Sequence, residues 1–336
     1  MILFLIKRLS LVALMLVGLL AITFTISHVA PGDPAKLAAG PDATAEMVER
    51  LRVAYGLDQP IHIQFVRYLG DMLSGDWGNS IHTTRPVWND IVTFFPATFE
   101  LVTFSILIAI VIGVPIGVLT AVYQNTWFDH AARILSVSGV AIPMFWLGIM
   151  CQLIFATEWD LFPLGGRLNL MTLPPEPITG LYLVDSLLRG QFHVFFEALH
   201  HIILPAVALC FPALASIIRV NRAEMLETLR QDYIVNARAQ GLSRFRIVGV
   251  YALRNAMLPT LAMIGLRFGW MLGGTVLVES VFDWPGIGLY AVDAAISSDF
   301  APIIGSTIVL GFFFMMTNLL IDLVYGVLDP RVRQQV

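Results

Sequence analysis

A chain of 336 residues with 57% hydrophobic and only 13% charged side chains, and a mean hydropathy of +0.78, excludes an ordinary soluble domain, in which about a quarter of residues are charged. The two lysines, Lys7 and Lys36, are followed by Arg8 and Leu37, which excludes the Gly-Lys-Ser/Thr loop that cradles nucleotide phosphates. The net charge of −4 sums over two compartments and so excludes little.

Spanning helices need about 20 mostly apolar residues. Six stretches qualify: Leu9–Val29, Phe99–Val122, Ile134–Thr157, His201–Ile218, Pro259–Val278 and Ile303–Val327. Lys7 and Arg8 resemble the start of a secretory signal, but the apolar run to Ile26 is longer than a cleaved signal requires, so a retained first span is expected. Cys151 and Cys210 both fall inside spans and form neither a disulfide framework nor a metal pair.

The 69-residue segment Ala30–Thr98 is too long for a plain connection. Helical spacing runs from Ala43 to Tyr55, with Gly56 as a stop. A second helix, Ile61–Leu73, places Ile61, Phe65, Tyr68, Leu69 and Met72 on one face, so a small outer helical lobe is expected. Breakers recur within the spans at Gly113, Pro115 and Gly117, Pro143 and Gly148, Pro205 and Pro212, and Gly265, Gly269, Gly273 and Gly274. Small residues four apart let helices approach closely, and prolines free carbonyls at bends. Close packing accounts for most of these; a moving, pathway-lining bundle is the other reading.

The second outer segment, Glu158–Leu199, is rich in proline and glycine and turns apolar from Ile178 to Phe196. Asp185 and Arg189 interrupt that run four residues apart, where an ion pair on one helical face can form. It is expected to lie on the membrane surface or the bundle.

The insert Arg219–Met257 carries seven arginines, three acids and no lysine. Helix formers to Gln240, a glycine at 241 suited to the left-handed closing position, and Ser243 placed to cap the next run predict two short helices meeting at a tight turn. Such a cationic hairpin is a shape for gripping another protein.

With the N-terminus inside, the inner segments hold 12 basic and 5 acidic residues and the outer ones 7 and 17, which places both termini in the cytoplasm. Three charges fall within apolar spans: Glu100, Arg267 and Asp322. Ionisable groups at that depth are expensive and mark a pathway or a partner, so all three are candidate pathway residues, Arg267 foremost; interfacial placement of Glu100 and Asp322 and carbonyl partners for Arg267 are the alternatives. No zinc-binding helix motif exists, since the adjacent His200 and His201 point to different faces, and no Gly-x-Ser-x-Gly element offers a nucleophile.

Nearly end to end, the chain resembles the permease subunits of bacterial dipeptide and oligopeptide importers of the ATP-binding-cassette class. The marks are Pro31-Gly32-Asp33-Pro34, Gly75-Asp76-Trp77-Gly78-Asn79-Ser80, Gly113-Val114-Pro115-Ile116-Gly117, Pro143-Met144-Phe145-Trp146, Ala237-Arg238-Ala239-Gln240-Gly241-Leu242, Leu253-Arg254-Asn255-Ala256-Met257-Leu258-Pro259 and Asp322-Leu323-Val324-Tyr325 running to Asp329-Pro330-Arg331. The resemblance implies an all-α membrane protein with the type I importer permease fold: a first span (1–29), a periplasmic lobe (30–94), a transmembrane domain (95–327) containing the coupling hairpin 219–257, and a cytoplasmic tail (328–336).

It also implies a multi-pass inner-membrane subunit with no cofactor or ATPase site of its own. ATP would be bound by cytoplasmic ATPase partners, which dock on Tyr233, Asn236, Ala237, Arg238, Ala239, Gly241 and Leu242. A second, homologous permease and a periplasmic solute-binding protein complete the assembly, lipid is the surrounding solvent, and nucleic acid is not an expected partner. The general importer motif begins Glu-Ala-Ala; here those positions are Val235, Asn236 and Ala237, so only the last alanine and Gly241 match. Short peptides are the implied solute, with glutathione, nickel chelates or oligosaccharides as alternatives. A carrier working alone is opposed by the hairpin and by the scarcity of buried carboxylates.

Overall fold

The structure is a computed structural model and describes residues 2–29, 43–54, 56 and 58–328. The Pro31–Pro34 mark, Tyr55, and Asp329 onward lie outside them. The described residues form helices and one isolated bridge, Asn79 to Pro86. Five helices are long and apolar enough to cross a membrane, and a bent pair makes six if it counts as one span.

Helix α1 (Ile2–Val29) is the first span. The lobe follows as α2 (Ala45–Ala54) and α3 (Ile61–Leu73), with Gly56 between them at φ +67°. Phe65, Tyr68, Leu69 and Met72 of α3 pack onto Leu20, Ile304 and Ile308, so the amphipathic face lies on the bundle; Ile61 instead faces solvent.

Helix α4 (Val87–Val122) has 36 residues, about 54 Å at 1.5 Å per residue, well beyond the roughly 30 Å of hydrocarbon. It therefore begins twelve residues before the expected span edge at Phe99. Its partner is α8 (Phe192–Thr228), 37 residues long and the buried centre of the bundle. The glycines of α4 explain the close approach: a Cβ at Gly113 would stand 3.0 Å from Ile217, and one at Gly117 would stand 2.9 Å from Asn221.

The third expected span, Ile134–Thr157, is not one helix. Helix α5 (Trp127–Ala141) and α6 (Met144–Cys151, continued by a wider π-type turn through Glu158) meet at 107°. Pro143 is the cause: it lacks an N–H and forces Ile142 into extended backbone, φ −81° and ψ 124°.

The Asp185–Arg189 ion pair that the spacing allows does not form. Asp185, on the short α7 (Tyr182–Leu188), accepts from the backbone N–H groups of Ile178, Thr179 and Gly180 and from the Thr179 hydroxyl, at 2.7–3.1 Å. The folded-back loop offers these donors at short range, and Arg189 pairs with Glu176 instead, at 3.2 Å.

After α9 (Asp232–Ala239) come α10 (Leu253–Val281), α11 (Ile287–Ile296) and α12 (Phe300–Leu328). A Cβ at Gly265 would overlap Ile321, and one at Gly269 would meet Phe314 at 3.0 Å, so these two glycines let α10 and α12 pack closely. The core, led by Leu101, Ile202, Leu209, Ile217, Leu272 and Trp284, lies around α8.

Candidate functional site

The cationic insert has a short helix before the Gly241 turn and a second helical run after it, which is not short. Helix α8 continues through its first ten residues to Thr228, and α9 follows the bend at Arg230–Gln231. Beyond Gly241 the chain runs as Arg244–Arg246, a wide turn over Ile247–Ala252, and α10; together Arg244–Val281 is a 38-residue run that includes the fifth span. The second helix is therefore longer than expected, because its first turns run without a break into the fifth span.

The closing turn is fixed by backbone bonds. Gly241 N–H donates to Arg238 O at 3.0 Å and Leu242 N–H to Ala237 O at 3.2 Å, with Gly241 at φ +76°, which satisfies the free carbonyls of α9. Ser243 Oγ then accepts from Arg246 N–H at 3.4 Å, as the sequence anticipates. Ile234 and Ala237 turn inward against Met225, Ala252 and Ala256. Ala237 is thus a packing residue of the hairpin, Leu242 is half-buried, and Tyr233, Asn236, Arg238, Ala239 and Gly241 are exposed. Tyr233 is tied to the root of α10, because its hydroxyl accepts from Asn255 Nδ2 at 2.7 Å.

Phe245, 87% exposed between Arg244 and Arg246, is a surface residue that the sequence reading passed over. An aromatic flanked by two cations at a tip is the pattern that would have found it. Between the hairpin and the C-terminal end of α4 lies a cavity of about 510 Å³, lined by Val122, Leu229, Arg238, Leu242, Arg244, Ile247 and Val248.

Not all seven arginines face outward. Arg222 donates through Nε and Nη2 to Asp129 at 2.7 and 2.9 Å, and Arg133 reaches the same carboxylate at 2.5 Å. Asp129 is fully buried, so this node clamps the C-terminal part of α8 to the start of α5.

The intramembrane charges separate by partner. Glu100 is 6% exposed and accepts from Arg167 Nη2 at 2.5 Å and from Leu183 N–H at 2.7 Å. Arg167 also lies 3.4 Å over the Tyr182 ring. Asp322 pairs with Arg8 at 2.7 Å, fastening α12 to α1. Arg267 is half-buried, and its Nε is buried without a hydrogen-bond acceptor.

A fourth such charge is Glu279, which lies inside α10 because that helix reaches Val281. It is fully buried and accepts from Thr98 Oγ1 at 2.6 Å and Leu289 N–H at 3.0 Å. A Cβ at Gly286 would stand 2.5 Å from its carboxylate. Among the described residues no cluster of three or more His, Cys, Asp or Glu could hold a metal ion.

Comparison with known proteins agrees with this architecture. Residues 113–334 match the family described as binding-protein-dependent transport system inner membrane component, and residues 1–102 match its N-terminal companion. The chain is 46% identical over 319 residues to the probable D,D-dipeptide transport system permease protein DdpB of Escherichia coli K12, covering 95% of this chain and 94% of the relative. It is 39% identical over 339 residues to the dipeptide transport system permease protein DppB of the same organism, covering 99% of each. It is 34% identical over 312 residues to the glutathione transport system permease protein GsiC of Salmonella paratyphi A, covering 93% of this chain and 92% of the relative. A helical bundle of apolar spans, matched along almost its whole length, belongs to the multi-pass inner-membrane permease components of binding-protein-dependent transport systems.

Proposed function

We propose that this chain is one of two permease subunits of an ATP-driven importer of short peptides, with both termini in the cytoplasm, and that its hairpin is the dock for a cytoplasmic ATPase subunit. The dipeptide permeases at 46% and 39% identity support the substrate class, and the arginine bias of the inner segments supports the orientation.

One observation carries the coupling role. The exposed surface of Tyr233, Asn236, Arg238 and Gly241 is rigidly capped and continuous with the 38-residue run Arg244–Val281. Displacement of the hairpin by a nucleotide-driven partner is transmitted along that run to the outer mouth. The bundle then exchanges between packings that open one side at a time, the bias being set by differential binding in the partner. The chain conducts and the partners hydrolyse.

The test is cysteine cross-linking from position 236 or 245 to the ATPase subunits in native membranes, together with co-purification. Adducts that change in yield with nucleotide are expected. A hairpin labelled from the periplasm, or dipeptide uptake by this chain alone, would overturn the proposal.

A further inference from the structure

Arg267 stands apart from the ion-paired charges of the bundle and, unlike the buried Glu279, has no side-chain hydrogen-bond partner among the described residues. Asp129, Glu100 and Asp322 are each neutralised within the chain, by Arg222 and Arg133, by Arg167, and by Arg8. Arg267 forms no ion pair or side-chain hydrogen bond among the described residues, and its Nε is buried.

The register of the two helices fixes the spacing. Asn221 Nδ2 donates to Thr260 Oγ1 at 3.2 Å, which places those residues at one level of the antiparallel α8 and α10. At 1.5 Å per residue, Arg267 lies about 10 Å outward of that level and Arg219 about 3 Å, a stagger of about 7 Å along the bundle axis.

Arg267 borders the open stripe of α10 formed by Leu266, Trp270 and Leu277, which nothing in the chain covers among the described residues. The end of α5, where Gly139 abuts Ala215 of α8, lies at the same depth. Arg267 thus sits beside an open face with a buried Nε that lacks an acceptor, which calls for an anion from outside the described residues, and Arg219 is exposed about 7 Å inward along the axis.

Resting on the short-peptide reading above, we propose that Arg267 and Arg219 form a two-step station for the C-terminal carboxylate of the transported peptide, in the inner half of the pathway. The carboxylate is common to peptides of every side-chain composition, and a guanidinium fork matches it with two parallel N–H···O bonds. The ammonium end is repelled by the same pair, which orients the peptide. Transfer from the half-buried Arg267 to the exposed Arg219 moves the anion toward the cytoplasm and toward water, so release does not need a separate trigger.

The test uses the complete transporter, with both permeases, ATPases and binding protein, in phosphatidylcholine vesicles with and without phosphatidylglycerol. Uptake per ATP hydrolysed is measured for a labelled dipeptide and for its C-terminal amide, each presented on saturating binding protein. Wild type is expected to favour the free acid by about tenfold, the effect of one charge-assisted interaction. R267Q is expected to bring that ratio near one, R219Q to lower it less, and R267K, which keeps the charge but loses the fork, to leave an intermediate ratio. A wild-type ratio near one, or a ratio unchanged in R267Q, overturns the station. An effect of R267Q seen only with phosphatidylglycerol overturns it in favour of a lipid phosphate. Wild-type uptake of neither compound overturns the peptide reading, and the station with it.

Discussion

Asn255 Nδ2 donates to the Tyr233 hydroxyl over 2.7 Å and to Tyr251 O over 3.1 Å, so one amide group joins the first turn of α9 to the root of α10. Two residues 22 apart in sequence thereby tie the hairpin to the root of the fifth span.

Removing the acceptor tests this link. Tyr233→Phe keeps the ring and loses a bond of about 1 kcal/mol. The expected outcome is retained assembly with fewer peptides moved per ATP. Asn255→Ala should behave alike, and the double variant should be no worse than either single one, because both remove the same bond. Additive losses would show that the two residues act separately.

The turn at Gly241 gives a second prediction. A Cβ there meets open space, so the sole penalty is the φ of +76°. Gly241→Val should cost about 1–2 kcal/mol and weaken ATPase co-purification, whereas Gly241→Asn, which tolerates the left-handed region, should retain most of it. Equal recovery of ATPase with all three residues would remove the turn from the docking surface.

Glu100 and Arg167 are 6% and 7% exposed, so each depends on the other for neutralisation. Glu100→Gln leaves a buried guanidinium unpaired and is expected to destabilise by about 3–5 kcal/mol, read as a fall in melting temperature in detergent. Replacing both with leucine should recover much of the loss, since an apolar pair has no charge to strand. A stable single variant would mean that water reaches the site.

Asp185 gives a pH dependence. Burial works against its charge, but the Thr179 hydroxyl and the N–H groups of Thr179, Ile178 and Gly180 outweigh it and hold the carboxyl below its ordinary value. Its folded value being depressed, its contribution is complete above the unfolded value of about 3.9 and is lost as pH falls through the folded one. The stability difference between wild type and Asp185→Asn should therefore be constant near neutrality and shrink below about pH 4. A difference that grows on acidification would reverse the sign and the assignment.

Much of this protein is written in local pattern. Apolar runs longer than a bilayer locate the spans whatever surrounds them, because hydrocarbon tolerates few alternatives. Likewise Gly241, Ser243 and Gly56 act on the backbone within a few residues, so the hairpin cap and the stop after α2 are visible without a fold. The 107° break at Pro143 could be suspected as a bend, but its size depends on what α8 and α10 leave room for.

The charges were decided by tertiary structure alone. Sequence puts Glu100, Asp322 and Arg267 in the same class, as costly groups in apolar surroundings. Packing then brings Arg167 to the first from 67 residues away and Arg8 to the second, and brings no acid among the described residues to the third. A charge's identity is a property of one residue, whereas its neutralisation depends on which distant segment the fold carries to it, and periodicity holds no record of that encounter.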